Sequence, residues 1–150
     1  MSPRLYSLIV TLHGHVAWLG IALLAHPTLA ILRGRDGAGV RLTAWLGALL
    51  VAVPYVVGFW IYPTYRVEVK PALLDDAHAI AMAFEVKEHL AWMCAACAVT
   101  GAGALLVSSR GAGGAPGRQV AAALLGMGFL AGVATGAIGV VVASITRPGW

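Results

Sequence analysis

Charged residues are scarce in this sequence. They make up 11% of its 150 residues, whereas hydrophobic residues make up 60% and the mean hydropathy is +0.86. A soluble domain carries about a quarter charged residues. The few charged side chains cannot cover the surface of a water-soluble globule, so we expect lipid to contact much of the outside. The length fits one compact unit, and we predict a single domain over residues 1–150.

Cysteines are few as well, and the basic residues form no patch. Cys94 and Cys97 lie within an apolar run, so we interpret them as packing residues rather than as a redox or metal motif. The net charge of +4 comes from basic residues spread over helix ends and short loops. That distribution suits contact with anionic lipid headgroups and excludes nucleic-acid binding. No phosphate-binding loop, dinucleotide fingerprint or serine-hydrolase motif is visible.

Four apolar segments are each long enough to cross about 30 Å of hydrocarbon, which takes about 20 helical residues. In the third segment, helical spacing extends back from the apolar part to about residue 72, so this helix is expected to project beyond the bilayer. We therefore predict an all-α integral membrane protein, a four-helix transmembrane bundle with helices at about 5–32, 42–62, 72–108 and 120–145.

These segments predict a multi-pass protein of the cell (cytoplasmic) membrane. An even number of spans places both termini on the same side. Arginines flank the first and the last connecting loop, and positively charged loops tend to stay in the cytoplasm. The rule favours both termini outside.

The fourth segment carries a stripe of small residues at steps of three and four: Gly128, Gly132, Gly136 and Gly139. Such a stripe lets helices approach closely in lipid. The partner of the stripe is either another helix of the bundle or a second copy of the chain, and the sequence leaves a homo-oligomer open.

Histidines within the spans point to function, because ionisable residues are costly in a membrane. His13 and His15 lie on the first helix and His89 on the third, and these two helices run in the same direction. Their depths differ by four to six residues, about 6–9 Å. We expect His89 to face His13 or His15 across the bundle, the arrangement that axial ligation of a haem or another metal requires. Small residues on the same faces would leave room for a porphyrin: Gly20, Ala96 and Gly103.

In this layout the chain resembles membrane b-type cytochromes. The resemblance covers the bundle and the position of the candidate ligands, and it implies a haem b cofactor and electron transfer. It also implies a membrane redox complex or a quinone as a partner. His15 and His26 are eleven residues apart, as are His78 and His89, which leaves a second haem open.

A second polar cluster is predicted at one membrane face. Glu85 and Glu88 lie near the start of the third helix, and Tyr65 and Arg66 lie at the end of the second. The cluster indicates a pocket for a quinone headgroup, a proton path or a helix-end anchor. Lys87 is expected to point away from it and to extend outward along its aliphatic stem.

Three functions remain open on this basis, and whether the protein is an enzyme is open too. The first is a haem-binding electron-transfer protein or redox-complex subunit, which predicts a chromophore. The second is a small non-catalytic accessory or assembly subunit, which predicts co-purification with another membrane protein. The third is a proton- or metal-handling protein that uses Glu85, Glu88 and His89, which predicts metal content or proton flux.

Overall fold

A computed structural model describes residues 3–68, 70–71, 74, 77–109 and 114–146. Within these residues the chain forms four long α-helices and no strand. All four are long and apolar enough to cross a membrane. The predicted fold class, an all-α four-helix bundle of the membrane type, is confirmed. The helices are α1 (Pro3–Leu32), α2 (Ala38–Glu68), α3 (His78–Ser109) and α4 (Gly114–Thr146).

The helix bounds differ from the predicted ones at several ends. Each helix has 30 to 33 residues and is therefore about 45–50 Å long, so all four exceed about 30 Å of hydrocarbon, not only the third. Helix α3 begins at His78 rather than at 72, because the carbonyl of Ala77 accepts the backbone N–H groups of Ile80 and Ala81 and so starts the first turn. Residues 72–73 and 75–76 of the predicted helix lie outside the described residues.

The end of α1 shows why the first connection is short. Gly34 has a φ of 75°, a left-handed conformation that glycine adopts without strain. The N–H of Arg35 then reaches back to the carbonyl of Ala30 at 2.9 Å, and the N–H of Gly34 reaches that of Ile31 at 2.9 Å. These bonds form the helix-ending pattern that glycine favours.

The four helices pack as a ring. Helix α1 packs against α2 and α4, and α3 packs against α2 and α4, so that α1 and α3 lie diagonally. One core of buried, mostly small apolar residues runs through all four helices. The largest fully buried side chains are Leu24, Pro27, Leu105 and Leu125. Small core residues bring the helix backbones close together.

Helices α1 and α2 pack closely at Gly20. A Cβ atom at this position would lie 2.7 Å from the carbonyl carbon of Leu50 and 2.9 Å from the backbone nitrogen of Val51. Pro54, four residues after Leu50, has no N–H to donate to that carbonyl. Gly20 therefore packs directly on backbone that the proline leaves accessible.

The predicted glycine stripe of α4 faces other helices of the same chain. A Cβ at Gly132 would lie 2.7 Å from Cγ1 of Ile21, and one at Gly136 would lie 2.5 Å from Cζ2 of Trp18. Gly128 packs on the backbone of α3 instead. The stripe thus lies where α4 meets α1 and α3.

Candidate functional site

A cavity of about 370 Å³ lies between the four helices, in the half of the bundle that holds the start of α1 and the end of α2. Its walls are mostly apolar. Residues of α1 line it from Tyr6 to Ile21, a distance of about 22 Å along the helix axis. The charged and imidazole side chains in its lining are His13, Lys87 and Glu88.

The aromatic residues are sorted between this cavity and the outer surface. All four tyrosines of the chain line the cavity: Tyr6, Tyr55, Tyr62 and Tyr65. The tryptophans within the described residues do not line it and are 40–68% exposed: Trp18, Trp45, Trp60 and Trp92. In membrane proteins both residue types are enriched at the bilayer surface. In this chain the tyrosines lie at the cavity and the described tryptophans on the outer surface.

His13 reaches the cavity from α1. A Cβ at Gly58 of α2 would lie 3.1 Å from Cε1 of the imidazole, so the missing side chain makes room for the ring. Nδ1 of His13 is buried and has no hydrogen-bond partner among the described residues. The Pro54 carbonyl lies near enough to interact with the ring. Nδ1 of His13 is thus a buried polar atom without a geometrically formed hydrogen bond to the described residues.

Tyr65 presents a second such atom from α2. Its side chain is 6% exposed, and its ring stacks on Phe84 of α3 with a centroid distance of 3.8 Å and an interplanar angle of 15°. Tyr62 also stacks with Tyr65, with a centroid distance of 6.2 Å and an interplanar angle of 25°. The hydroxyl of Tyr65 is buried without a hydrogen-bond partner in the described part of the chain. Stacking fixes the ring, while the hydroxyl remains available.

Lys87 and Glu88 bring charge into the cavity from α3. Nζ of Lys87 lies 4.7 Å from the ring centroid of Phe84, a cation–π contact. Lys87 forms no ion pair with a described residue. The Tyr62 hydroxyl is close enough to the Glu88 carboxylate to interact by hydrogen bonding. The expectation that Lys87 points outward is wrong, because α3 turns the face of Phe84, Lys87 and Glu88 inward.

The structure brings only part of the predicted polar cluster to the cavity. Glu88 and Tyr65 line the cavity, whereas Glu85 and Arg66 do not. Glu85 pairs with Lys70 in the connection between α2 and α3. The hydrogen bond to this carboxylate raises the pKa of Lys70. Arg66 is exposed on the outer surface.

The other candidate haem ligands are not brought to His13. Nδ1 of His15 bonds the carbonyl of Thr11 at 2.8 Å, and Nδ1 of His89 bonds that of Glu85 at 2.9 Å. Both side chains are exposed and turned back onto their own helices. His26 is exposed too, and its Nδ1 lies 2.8 Å from the hydroxyl of Thr43.

The small residues expected to leave room for a porphyrin lie elsewhere. The cavity lining includes none of these residues, which are Gly20, Ala96 and Gly103. The backbone of α2 fills the space beside Gly20. Within the described ranges, no three histidine, cysteine or acidic side chains come together as a metal site would require. Haem and metal binding stay predictions.

The fold and the cavity define a membrane-type four-helix bundle with a mostly apolar pocket that contains a few polar groups. Comparison of the chain with protein-family models, with curated proteins and with solved structures gave no match. The function is therefore inferred from the cavity itself.

Proposed function

We propose that the protein binds a small amphipathic molecule in the cavity, and that Lys87, Glu88 and His13 hold its polar group and exchange protons with it. The observation that carries this proposal is the pair of buried, unpartnered polar atoms in the wall, His13 Nδ1 and the Tyr65 hydroxyl. More than about 90% of buried polar groups are hydrogen-bonded, and leaving one unpaired costs about 1–3 kcal/mol. A ligand that pairs with both, once the neighbouring side chains shift to expose the two atoms, would remove this cost.

The size and lining of the cavity suit such a ligand. Small-molecule sites are mostly apolar clefts of about 300–1,000 Å³ with a few converging polar groups, and this cavity has about 370 Å³. The rings of Phe84 and Tyr65, which stack on each other, form part of its wall. A polar group held there would be shielded from water.

The charged groups give the site its chemistry. Ionisable residues inside a membrane are costly, and they mark binding sites and proton relays. The ammonium of Lys87 can hold an electron-rich oxygen, because it forms no ion pair among the described residues, although the Glu88 carboxylate is near enough to interact electrostatically. The carboxylate of Glu88 and the imidazole of His13 can each accept or return a proton.

A haem held by two histidines does not fit the described arrangement. His13 supplies one imidazole to the cavity, whereas His15 and His89 are exposed and bonded to their own helices. No step of the proposal uses a haem. An absorption spectrum of the purified protein tests this point, since a Soret band lost in His89→Ala would restore the haem prediction.

The proposal is tested by filling the cavity. Ala17 lines it, whereas Ala22 on the same helix is exposed on the outer surface. We expect Ala17→Leu to reduce the amount of any small molecule that co-purifies in mild detergent, because the larger side chain occupies its space. Ala22→Leu adds the same atoms outside the cavity and should leave that amount unchanged. The measurement is mass spectrometry of an organic extract, normalised to protein.

Two results would contradict the proposal. One is a co-purifying compound present in equal amounts in both variants and in the parent. The other is a folded parent protein with no bound compound that co-purifies with another membrane protein. The second result would favour the accessory-subunit function.

A further inference from the structure

We infer that the ligand is a quinone-type headgroup, a flat ring with oxygen atoms at two opposite ends, carried on an apolar tail. This inference rests on the proposed function and names its substrate class. The observation behind it is the spacing of the two places on α2 at which the unpartnered groups lie. His13 contacts α2 at Gly58, seven residues before Tyr65. Seven residues are two turns, so both points lie on one face of α2, about 10 Å apart along its axis.

Polar groups at two ends favour a ligand with two polar ends. A carboxylate, such as that of a fatty acid, could bind Lys87 but carries its oxygens at one end. It would leave either the His13 nitrogen or the Tyr65 hydroxyl unpaired, and buried polar groups are rarely left so. A quinone carries one carbonyl oxygen for each end of the cavity.

The side chains suit both redox forms of such a ring. Tyr65 and Lys87 can each donate a hydrogen bond to a carbonyl oxygen. The imidazole of His13 donates from Nδ1 in one tautomer and accepts there in the other, so it can pair with a carbonyl or with a hydroxyl. The Glu88 carboxylate can accept a hydrogen bond from a hydroxyl of the reduced form.

The outer wall gives a route for the tail. Phe59 of α2 lines the cavity and is nevertheless 74% exposed on the outside of the bundle. The cavity therefore reaches the lipid-facing surface beside Phe59. A ligand that enters from the bilayer at this point can leave its apolar tail among the lipids.

The test measures binding to the purified protein in lipid nanodiscs. The probes are a benzoquinone with a decyl tail, decanoic acid and decylbenzene, which share the tail length and differ in the headgroup. We expect saturable binding of the quinone only. Tyr65→Phe should weaken it about three- to tenfold, because one hydrogen bond is lost. The melting temperature of the Tyr65→Phe variant should not fall, because the Tyr65 hydroxyl bonds no described residue.

Thr135→Val is the matched control. It also removes one hydroxyl from the cavity wall, but the Thr135 hydroxyl already donates to the Ala131 carbonyl at 2.8 Å. Its quinone affinity should stay within about twofold of the parent, since no hydrogen bond to the ligand is lost.

The outcomes separate the inference from the proposed function. Binding of decanoic acid without binding of the quinone would overturn the quinone assignment and leave a ligand-binding cavity. Quinone binding that Tyr65→Phe and Thr135→Val weaken equally would overturn the inferred contacts. Binding of none of the probes, together with an extract that contains no compound, would overturn both.

Discussion

The glycines of α1 allow the close approach of α1 and α2 to be tested by a single methyl group. Gly14 and Gly20 both lie within the helix, and they differ in what their Cα atoms face. A Cβ at Gly14 would meet nothing within 4 Å. A Cβ at Gly20 would lie 2.7 Å from the carbonyl carbon and 2.8 Å from the carbonyl oxygen of Leu50. We predict that Gly20→Ala destabilises the bundle and that Gly14→Ala does not.

The size of the effect follows from two opposing terms. Replacing glycine by alanine inside a helix stabilises it by about 0.8–1 kcal/mol. Overpacking a well-packed site costs about 1–3 kcal/mol, and at Gly20 the obstructing atoms belong to the backbone, so no side chain can rotate away. The helix term is the same in both variants and cancels. Gly20→Ala should therefore be less stable than Gly14→Ala by about 1–3 kcal/mol.

Cys94 provides the assay. Its side chain is 2% exposed, so a thiol-reactive dye labels it only when the bundle opens. The melt is followed in mild detergent in a Cys97→Ala background, which removes the more accessible thiol. A difference of 1 kcal/mol corresponds to about 2–4 °C for soluble domains of this size. Melting temperatures that agree within a degree would refute the close contact between Gly20 and Leu50.

Two further predictions concern α4 and the connection before α3. Gly132→Leu should prevent assembly of the bundle, because a Cβ there would lie 2.7 Å from Ile21. Gly139→Leu should be tolerated, because its Cβ would meet only the flexible end of the Lys87 side chain, at 3.4 Å. Gel filtration of both variants checks this, and equal behaviour would contradict it. Lys70→Gln should leave the melting temperature near that of the parent at pH 7, because exposed ion pairs contribute little. In the parent, the contribution of Lys70 is present at neutral pH and is lost only as the pH rises through its raised pKa. A large loss of stability at pH 7 would show that the pair anchors the start of α3.

The four spans could be predicted because hydropathy sums over about 20 residues, so that no single residue decides the outcome. The rotation of each helix about its axis could not. Helix α3 carries apolar residues on every side, and nothing in its sequence distinguishes the face of Phe84, Lys87 and Glu88 from that of Glu85 and His89. The candidate ligand His89 lies on the second face, whereas the first face lines the cavity.

Depth alone could not decide which histidines meet. The predicted depths of His89 and of His13 or His15 differ by four to six residues, about 6–9 Å, but α1 and α3 are diagonal in the ring and each has its own rotation. The ring of His13 turns into the cavity, whereas that of His89 is exposed. The order of helices around a bundle depends on side-chain packing between helices, which hydropathy does not contain.

The spacing of the tyrosines in α2 is a sequence signal for the cavity. Tyr55, Gly58, Tyr62 and Tyr65 follow one another at steps of three and four, which places them on one helical face. Trp60 lies among them in the sequence, and Tyr65 with Arg66 also suits a helix-end anchor at the membrane surface. Separating tyrosine from tryptophan by helical position would have shown two different faces.

The sorting of aromatic residues also gives the molecule two independent optical probes. The described tryptophans are exposed on the outer surface, so a quencher dissolved in the lipid, such as a brominated acyl chain, should act on their emission. The tyrosines line the cavity, so their near-ultraviolet absorption should respond to its contents. The lipid surroundings and the occupancy of the interior can thus be followed separately in one unlabelled sample.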